Sequence, residues 1–212
     1  MEKEGAKRIL CFGDSLTWGW DPETQERYSA GSRWTTILQK NLGESYWIIE
    51  EGLNGRTTIW DDPIEGNKNG RRHLPILLES HRPLDLLIIM LGTNDLKARF
   101  QVTALQIAQS AGTLVEIAKR SNAGRGGNSP SVLLISPPPL GKLAIWQEEF
   151  GEGTEKSQNL ARYYSYFAQV NQCHFFDAGE VVKTSDIDGI HWEVAANQQF
   201  AEALTNKVKD IL

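Results

Sequence analysis

Residues 8–15 read RILCFGDS, a mostly apolar run that ends in glycine, aspartate and serine. Residues 8–12 predict a β-strand near the beginning of the chain, and Ser15 follows shortly after its carboxyl end. In α/β proteins, a serine at this position beside a glycine is exposed as a nucleophile. The stretch therefore predicts an α/β sheet with a candidate nucleophile at its edge.

Predicted strands and helices alternate along the rest of the chain. We expect further strands at residues 47–50, 84–91, 131–136 and 174–177, and helices at residues 34–42, 103–119, 160–170 and 192–212. The run at 84–91 is nearly all apolar, which is typical of a central parallel strand buried on both faces. The alternation predicts an α/β fold with a flavodoxin-like, doubly wound, five-stranded parallel sheet in a three-layer α/β/α arrangement. Because no repeat or linker interrupts it, we expect a single domain over residues 1–212.

Two longer segments separate the predicted elements, at residues 61–72 and 140–157. Long segments of this kind in a compact domain are often functional. We expect them to form the walls of a substrate cleft. The Gly-rich residues 121–130 are expected to form a surface loop.

The composition excludes several functional classes. A net charge of −5 argues against nucleic acid as a partner, because phosphate binding needs a basic surface. No run approaches the roughly 20 apolar residues of a membrane span, and the early first strand leaves no room for a signal peptide, so we expect a cytoplasmic protein without a membrane partner. Cys11 and Cys173 fall in predicted buried strands, where core packing is expected rather than a disulfide. His73, His81 and His174 lack metal-ligand spacing and are expected to be structural or at the surface, so we expect neither a metal nor a cofactor.

A carboxylate and an imidazole stand three residues apart near the other end of the chain, at Asp188 and His191. A serine hydroxyl is a weak nucleophile until a neighbouring base takes its proton, and His191 suits that task near neutral pH. Asp188 can reach the other ring nitrogen from the same turn and orient the imidazole. Together with Ser15, these residues are the parts of an acyl-transfer site. The segments after the second and third predicted strands, residues 52–56 and 92–95, can supply donors for the developing oxyanion.

Four sequence blocks resemble the signature blocks of the GDSL or SGNH hydrolases. They are GDSL at residues 13–16, the glycine of Asn54-Gly55, GTND at residues 92–95 and D-x-x-H at residues 188–191, in the order of the family. Longer stretches are similar to the bacterial arylesterase and acyltransferase subgroup, at residues 8–20, 50–53, 89–95, 136–139 and 176–179. The resemblance implies the SGNH hydrolase fold and hydrolysis of small short-chain esters through an acyl-enzyme. It also implies acyl transfer to alcohols or peroxide and a homo-oligomer.

The same resemblance implies roles for individual residues. Ser15 is expected to be the nucleophile, His191 the general base and Asp188 its orienting carboxylate. The oxyanion is expected to be bound by the amides of Ser15 and Gly55 and by the side chain of Asn94. A narrow apolar channel is implied as well, and the residues that we expect to bind substrate are Leu16, Trp20, Lys97, Phe150, Ile190 and Trp192.

Structural roles compete with functional ones at several of these positions. Core packing is the alternative for Trp18 and Trp192, because large aromatic side chains dominate cores. A solvated place on the surface is the alternative for Lys97. Asp14 is expected to tie down the loop of the nucleophile, and Asp95 to cap a helix after the third strand.

Other functions are either left open or excluded. The same triad could deacetylate a decorated sugar or polysaccharide, which a wide polar cleft would favour. Thioesterase or lysophospholipase activity is a further alternative, although no long apolar lid segment is evident. A Rossmann-type nucleotide-binding module needs G-x-G-x-x-G after the first strand and an α/β-hydrolase needs G-x-S-x-G, and the chain has neither. The expected partners are therefore a small-molecule ester and an alcohol acceptor.

Overall fold

The computed structural model describes residues 5–212, and a single parallel β-sheet forms their centre. The five strands of these residues are β1 (Lys7–Gly13), β2 (Tyr46–Gly52), β3 (Leu86–Met90), β4 (Ser131–Ser136) and β5 (His174–Asp177). Their order in the sheet is β2-β1-β3-β4-β5, and every neighbouring pair is parallel. The predicted α/β fold is confirmed.

Helices cover both faces of the sheet. Within the described residues they are α1 (Ser15–Trp18), α2 (Trp34–Leu42), α3 (Gly70–His81), α4 (Ala104–Lys119), α5 (Gln147–Phe150), α6 (Gly153–Ser157), α7 (Leu160–Val170) and α8 (Val194–Ile211). Helices α3, α4 and α7 pack on one face, and α2 and α8 pack on the other. Successive residues of β1 contact the two faces in turn, since Ile9 and Cys11 pack with α2 and α8 whereas Leu10 and Phe12 pack with the other helices. The result is the expected three layers.

The boundaries of the predicted elements agree with the structure to within two residues, but α3 was not predicted. Pro75 lies inside this helix, where proline normally breaks the hydrogen-bonding pattern. The helix forms nevertheless because Leu74 and Leu78 are buried in the core. The Asn69 side chain also caps its first turn by accepting a hydrogen bond from the amide of Arg71. Tertiary burial here outweighs local propensity.

The structure also differs from the sequence prediction at one cysteine and in one long segment. Cys173 lies before β5 and is half-buried, whereas Cys11 is fully buried in β1, and both are free thiols. The second long segment, residues 140–157, contains a 3₁₀ turn at Ala144–Trp146 as well as α5 and α6. Of the helices in residues 5–212, none has the length and apolar character needed to cross a membrane.

Candidate active site

The carboxyl ends of three adjacent strands carry three of the four sequence blocks. Ser15 follows β1, Gly55 follows β2 and Asn94 follows β3, and these strands are neighbours in the sheet. The fourth block, residues 188–191, lies in the loop before α8 and reaches the same edge. The fold therefore gathers residues that are up to 176 positions apart in the chain.

Ser15, His191 and Asp188 form a continuous chain of hydrogen bonds. The Ser15 Oγ and His191 Nε2 atoms are 2.9 Å apart, and His191 Nδ1 is 2.6 Å from Asp188 Oδ2. An ionised carboxylate can only accept hydrogen bonds, so Nδ1 carries the ring proton and Nε2 is left to accept the proton of Ser15. This is the arrangement that a serine nucleophile needs for activation.

Hydrogen bonds keep Asp188 ionised. Burial raises the pKa of its carboxyl, but the hydrogen bond and charge of His191 and the amides of Ile190 and His191 outweigh burial and hold that pKa below its usual range. Oδ1 accepts from the amides of Ile190 and His191 at 2.8 and 2.9 Å, while Oδ2 faces the imidazole. One oxygen of the carboxylate therefore fixes the turn, and the other binds the imidazole.

The loop that carries Asp188 and His191 is closed on itself by Ser185. The Ser185 amide donates to the His191 carbonyl at 2.7 Å, and its carbonyl accepts from Gly189 at 2.9 Å. The Ser185 hydroxyl donates to Glu193 Oε1 at 2.6 Å. Gly189 has a φ of +73°, and a Cβ at this position would lie 2.5 Å from the Lys142 carbonyl oxygen. The loop is thereby held in one conformation against the 140–157 segment.

The three residues expected to donate to an oxyanion, Ser15, Gly55 and Asn94, lie at the same edge of the sheet. The Ser15 amide is the first of α1, where helix amides have no intrahelical partner. Gly55 has a φ of +76°, and a Cβ there would come within 2.2 Å of Glu65 Oε2. The Asn94 side-chain nitrogen donates to the Arg56 carbonyl at 3.2 Å, which fixes its direction. All three residues line the cleft described below.

Two buried carboxyl groups, those of Asp14 and Asp95, lie close to each other near the turn that begins at Ser15. Asp14 accepts a hydrogen bond from the Leu16 amide at 3.0 Å, and burial raises its pKa to about 7. Asp95 accepts from the amide of Thr58 at 3.1 Å, and burial raises its pKa to about 6. Asp14 caps the turn that begins at Ser15, as expected. Asp95 does not cap a helix: it ties the loop after β3 to the loop after β2.

The buried Asp14 is expected to make stability fall as pH rises. The unfolded chain releases this proton near pH 4, whereas the folded chain holds it until about pH 7. Between these values the folded state binds more protons, so the free energy of unfolding decreases with increasing pH. We expect Asp14→Asn to gain stability relative to wild type between pH 5 and pH 8, measured by urea unfolding.

Asp21→Asn is a matched control for this measurement. Burial is slight at Asp21, and hydrogen bonds from Glu23 and Thr24 outweigh it and lower the pKa of the carboxyl, so it is ionised in both states above pH 5. The difference between Asp21→Asn and wild type is therefore expected to stay constant over the same range. An equally constant difference for Asp14→Asn would contradict the raised pKa.

A cleft of about 590 Å³ opens above Ser15, and its lining includes a set of apolar side chains and a set of charged side chains, which are named the apolar wall and the charged wall. One wall is apolar and consists of Trp20, Ile145, Trp146, Phe150, Ile187 and Ile190. The Trp20 ring lies 5.6 Å from the His191 ring, centroid to centroid. The other wall is charged and consists of Glu65, Lys97, Arg99 and Glu149. Both long segments contribute to these walls, as the sequence predicted.

The charged wall is cross-linked by ion pairs. Arg99 contacts Asp62 at 2.7 Å and both Glu65 and Glu149 at 2.9 Å. Lys97, which is buried, contacts Glu65 and lies 3.4 Å from Glu149. These contacts join the two long segments to the loop after β3. Sequence reasoning identified Lys97 and the segments but missed Glu65, Arg99, Glu149 and Ile187, because spacing alone does not show which loop side chains turn inward.

The expected substrate-binding residues divide into two groups. Trp20, Lys97, Phe150 and Ile190 line the cleft. Leu16 and Trp192 do not, and the prediction of direct contact is corrected for both. Leu16 is 3% exposed and Trp192 is 1% exposed, and both pack in the core between the sheet and helices α2 and α8. For Trp192 the alternative of core packing holds, since its ring lies 4.7 Å from that of Phe200.

The described residues include no group of three or more His, Cys, Asp or Glu side chains that could hold a metal ion. The histidines outside the triad have other surroundings. His81 pairs with Glu51 at 2.8 Å, His73 is half-buried and His174 is exposed.

Comparisons with known proteins find a family match and several similar esterases. A model of the GDSL-like Lipase/Acylhydrolase family matches residues 11–199. The aryl esterase of M. smegmatis is 46% identical over 98% of this chain and 100% of its own, with a TM-score of 0.94. A carbohydrate acetylesterase from Sinorhizobium meliloti is 42% identical over 97% of this chain and 100% of its own, also with a TM-score of 0.94. An acetylxylan esterase from Xylanibacter ruminicola is 25% identical over 225 residues, and the chain spans 44% of the length of that curated relative.

Proposed function

Because the chain belongs to the GDSL-like lipase/acylhydrolase family, we propose that it acts on small short-chain esters and passes the acyl group to alcohols or peroxide as well as to water. It is a carboxylic-ester hydrolase of this family. The observation that carries the proposal is the hydrogen-bonded chain of Ser15, His191 and Asp188 at the base of a cleft with an apolar wall.

The first half of the proposed reaction forms an acyl-enzyme. Ser15 Oγ attacks the ester carbonyl carbon while His191 Nε2 takes the hydroxyl proton. The carbonyl π electrons move onto oxygen, and the amides of Ser15 and Gly55 with the Asn94 side chain stabilise the resulting charge. The tetrahedral intermediate then collapses, the bond to the leaving alcohol breaks, and His191 returns the proton to that alcohol.

The second half repeats these steps with an acceptor. Water, an alcohol or hydrogen peroxide gives its proton to His191 and attacks the acyl carbon, which releases an acid, a new ester or a peracid and restores Ser15. The apolar wall beside His191 favours an acceptor with an apolar group over water, because such an acceptor removes apolar surface from water when it binds. This preference supports acyl transfer.

Hydrolysis of p-nitrophenyl esters from acetate to octanoate, with and without benzyl alcohol, tests the proposal. We expect kcat/KM to fall steeply beyond the short acyl chains and benzyl ester to form at the expense of free acid. Equal rates for all chain lengths, or acid as the sole product in the presence of benzyl alcohol, would refute the proposed substrate size or acceptor.

Replacing Trp20 by alanine is expected to weaken both the preference for short acyl chains and the transfer of the acyl group to benzyl alcohol. The indole lies against His191 and forms part of the apolar wall, so its removal widens the space beside the acyl-enzyme. Each added methylene in an apolar pocket changes specificity by about 10-fold or more, so we expect the octanoate-to-acetate ratio of kcat/KM to rise at least about 10-fold. The share of acyl groups transferred to benzyl alcohol should fall.

Trp47→Ala is the control for this variant. Trp47 lies near the amino end of β2, at the opposite edge of the sheet from Ser15, and packs against the core there. Its removal should lower the stability of the fold. The octanoate-to-acetate ratio of kcat/KM and the share of acyl groups transferred to benzyl alcohol should not change. An unchanged ratio in Trp20→Ala would exclude this side chain from the acyl or acceptor site.

Deacetylation of sugars is a second candidate, and the charged wall favours it. Glu65, Arg99 and Glu149 can hydrogen-bond to the hydroxyl groups of a carbohydrate leaving group. The similarity to a carbohydrate acetylesterase supports the same idea. Release of acetate from acetylated xylose compared with release from phenyl acetate distinguishes the two candidates, since a sugar deacetylase should prefer the former by kcat/KM.

We also propose that the chain forms a homo-oligomer. Ile64 and Ile145 are 75% and 83% exposed and stand at the mouth of the cleft beside Trp146. Covering these apolar side chains by a second copy would stabilise the assembly and narrow the cleft. Light scattering tests the idea, and a mass of 23.8 kDa at all concentrations would contradict it.

A further inference from the structure

Arg56 is a buried cation beneath the site. Its side chain follows Gly55 in sequence, is 4% exposed, and lies over the Phe12 ring with the guanidinium carbon 4.3 Å from the centroid. Burial lowers its pKa to about 10, although the charges of Glu51 and Asp14 act in the opposite direction. Burying a guanidinium costs free energy unless its hydrogen bonds and charge are compensated. The contacts of Arg56 are therefore important for its role.

The contacts of Arg56 lead to all three proposed oxyanion donors. Its Nη1 atom donates to the Gly13 carbonyl at 2.8 Å, two residues before Ser15, and also to the Glu51 carbonyl of β2. Its own carbonyl accepts from the Asn94 side chain at 3.2 Å. Its amide donates to the Leu53 carbonyl at 3.0 Å and closes the turn that contains Gly55.

We propose that Arg56 is a positioning residue that sets the mutual placement of the Ser15 amide, the Gly55 amide and the Asn94 side chain. The inference rests on the oxyanion hole proposed above and adds to it the residue that holds it together. The three donors belong to loops after three different strands, and no single loop fixes their spacing. The Arg56 side chain joins the ends of β1 and β2, and the Arg56 carbonyl joins them to the loop after β3.

The acceptors of the guanidinium support a positioning role. Its hydrogen bonds go to two backbone carbonyls, so they depend on where the main chain runs. A transition state is sensitive to such placement, and an error of about 1 Å can cost about 100-fold in rate. Arg56 touches neither Ser15 Oγ nor the cleft, which distinguishes it from a catalytic residue.

Steady-state kinetics of Arg56→Met and Arg56→Lys test the inference. Arg56→Met is expected to lower kcat for p-nitrophenyl acetate about 100-fold while KM changes less than about threefold, because ground-state binding uses the cleft walls. Arg56→Lys retains a cation that can reach one carbonyl, and we expect its kcat to lie between those of Arg56→Met and wild type. Phenylboronic acid, which adds to the serine as a tetrahedral mimic, should bind each variant more weakly in proportion to kcat.

Arg8→Met is the matched control. Arg8 also donates to a backbone carbonyl, that of His81 at 3.0 Å, and lies 4.5 Å above the Trp47 ring. It stands at the amino end of β1, away from Ser15. The control should lose thermal stability as the Arg56 variants do but keep kcat within about twofold, since it holds none of the proposed donors.

Asn94→Ala separates the failure of this inference from the failure of the oxyanion hole. Loss of one oxyanion donor costs about 100- to 1,000-fold in kcat. If Asn94→Ala shows this loss and a folded Arg56→Met or Arg56→Lys keeps wild-type kcat and boronate affinity, the positioning role is overturned while the hole stands. If Asn94→Ala is itself fully active, the proposed hole is wrong. Should Arg56→Met fail to fold, the Arg56→Lys measurement decides in the same way.

Discussion

Replacing Ser15 by alanine is expected to lower kcat for ester hydrolysis about a million-fold, which is the usual cost of removing a triad nucleophile. The Ser15 hydroxyl is the group 2.9 Å from His191 Nε2, and the proposed acyl-enzyme forms on its oxygen. Alanine leaves the oxyanion donors and cleft walls in place, so KM should change little in comparison. Background-corrected hydrolysis of p-nitrophenyl acetate by the purified variant measures the loss.

The same substitution is expected to leave the fold intact. Ser15 begins α1, and its hydroxyl faces the cleft, where water can replace it as a partner of His191. Ser110→Ala provides a control for removal of a buried hydroxyl, because Ser110 donates to the Gln106 carbonyl at 2.7 Å within α4. The control should retain full activity. Residual turnover of Ser15→Ala above about one part in a thousand would exclude Ser15 as the nucleophile.

Covalent labelling provides an independent reading of the same prediction. A phosphonate ester that reacts with activated serines should add once to the wild-type chain, and the modified peptide should contain Ser15. Ser15→Ala should remain unlabelled, whereas Ser110→Ala should label at the wild-type rate. A label on any other residue would contradict the assignment.

The fold and the centre of the site could be predicted because both depend on features that are local in sequence. Strand periodicity places the ends of β1 and β3, and parallel strands bring those ends to one edge of the sheet. Ser15 and Asn94 therefore had to come close wherever the helices packed. Asp188 and His191 share one turn, so their contact follows from a spacing of three residues.

The parts that sequence could not give depend on how distant elements pack. α3 contains Pro75, and its stability comes from burial of Leu74 and Leu78 in a core that it shares with other elements, such as helix α4. Leu16 and Trp192 stand next to the proposed catalytic residues Ser15 and His191, yet both side chains are buried in the core with residues of the sheet, α2 and α8. Adjacency in sequence to Ser15 or His191 thus did not predict the direction of the neighbouring side chain.

The role proposed for Arg56 could not be predicted from the sequence either. In sequence it is one basic residue after the glycine of the second block, and nothing in its spacing distinguishes it from a solvated arginine. Its importance arises because the loop after β2 turns under the nucleophile, where the Gly13 carbonyl and the Asn94 side chain are both within reach. Only the three-dimensional arrangement of three loops makes this residue a candidate for positioning.

Replacing Asp188 by asparagine is expected to lower kcat about 10,000-fold, the cost of holding a catalytic histidine in the wrong tautomer. Oδ1 of Asp188 accepts two backbone hydrogen bonds, from Ile190 and His191, so the carbonyl oxygen of asparagine must take that place. The amide nitrogen is then forced into the position of Oδ2, 2.6 Å from His191 Nδ1. Because this nitrogen donates, Nδ1 must accept, and the ring proton moves to Nε2. Nε2 can then no longer take the proton of Ser15.

A wrong tautomer of His191 and a loss of structure have different effects on stability in the Asp188→Asn variant. Asp188→Asn keeps both turn hydrogen bonds, so its melting temperature should stay within about 4 °C of wild type, whereas kcat collapses. Asp177→Asn is the matched control, since Asp177 also accepts from a backbone amide two residues on, that of Gly179 at 2.9 Å, and has no imidazole partner among the described contacts. It should keep wild-type kcat. In the Asp188→Asn variant, NMR should show the His191 ring proton on Nε2. If the proton remained on Nδ1 while activity was lost, the orienting role of Asp188 would have to be replaced by one in which its charge alone stabilises the imidazolium.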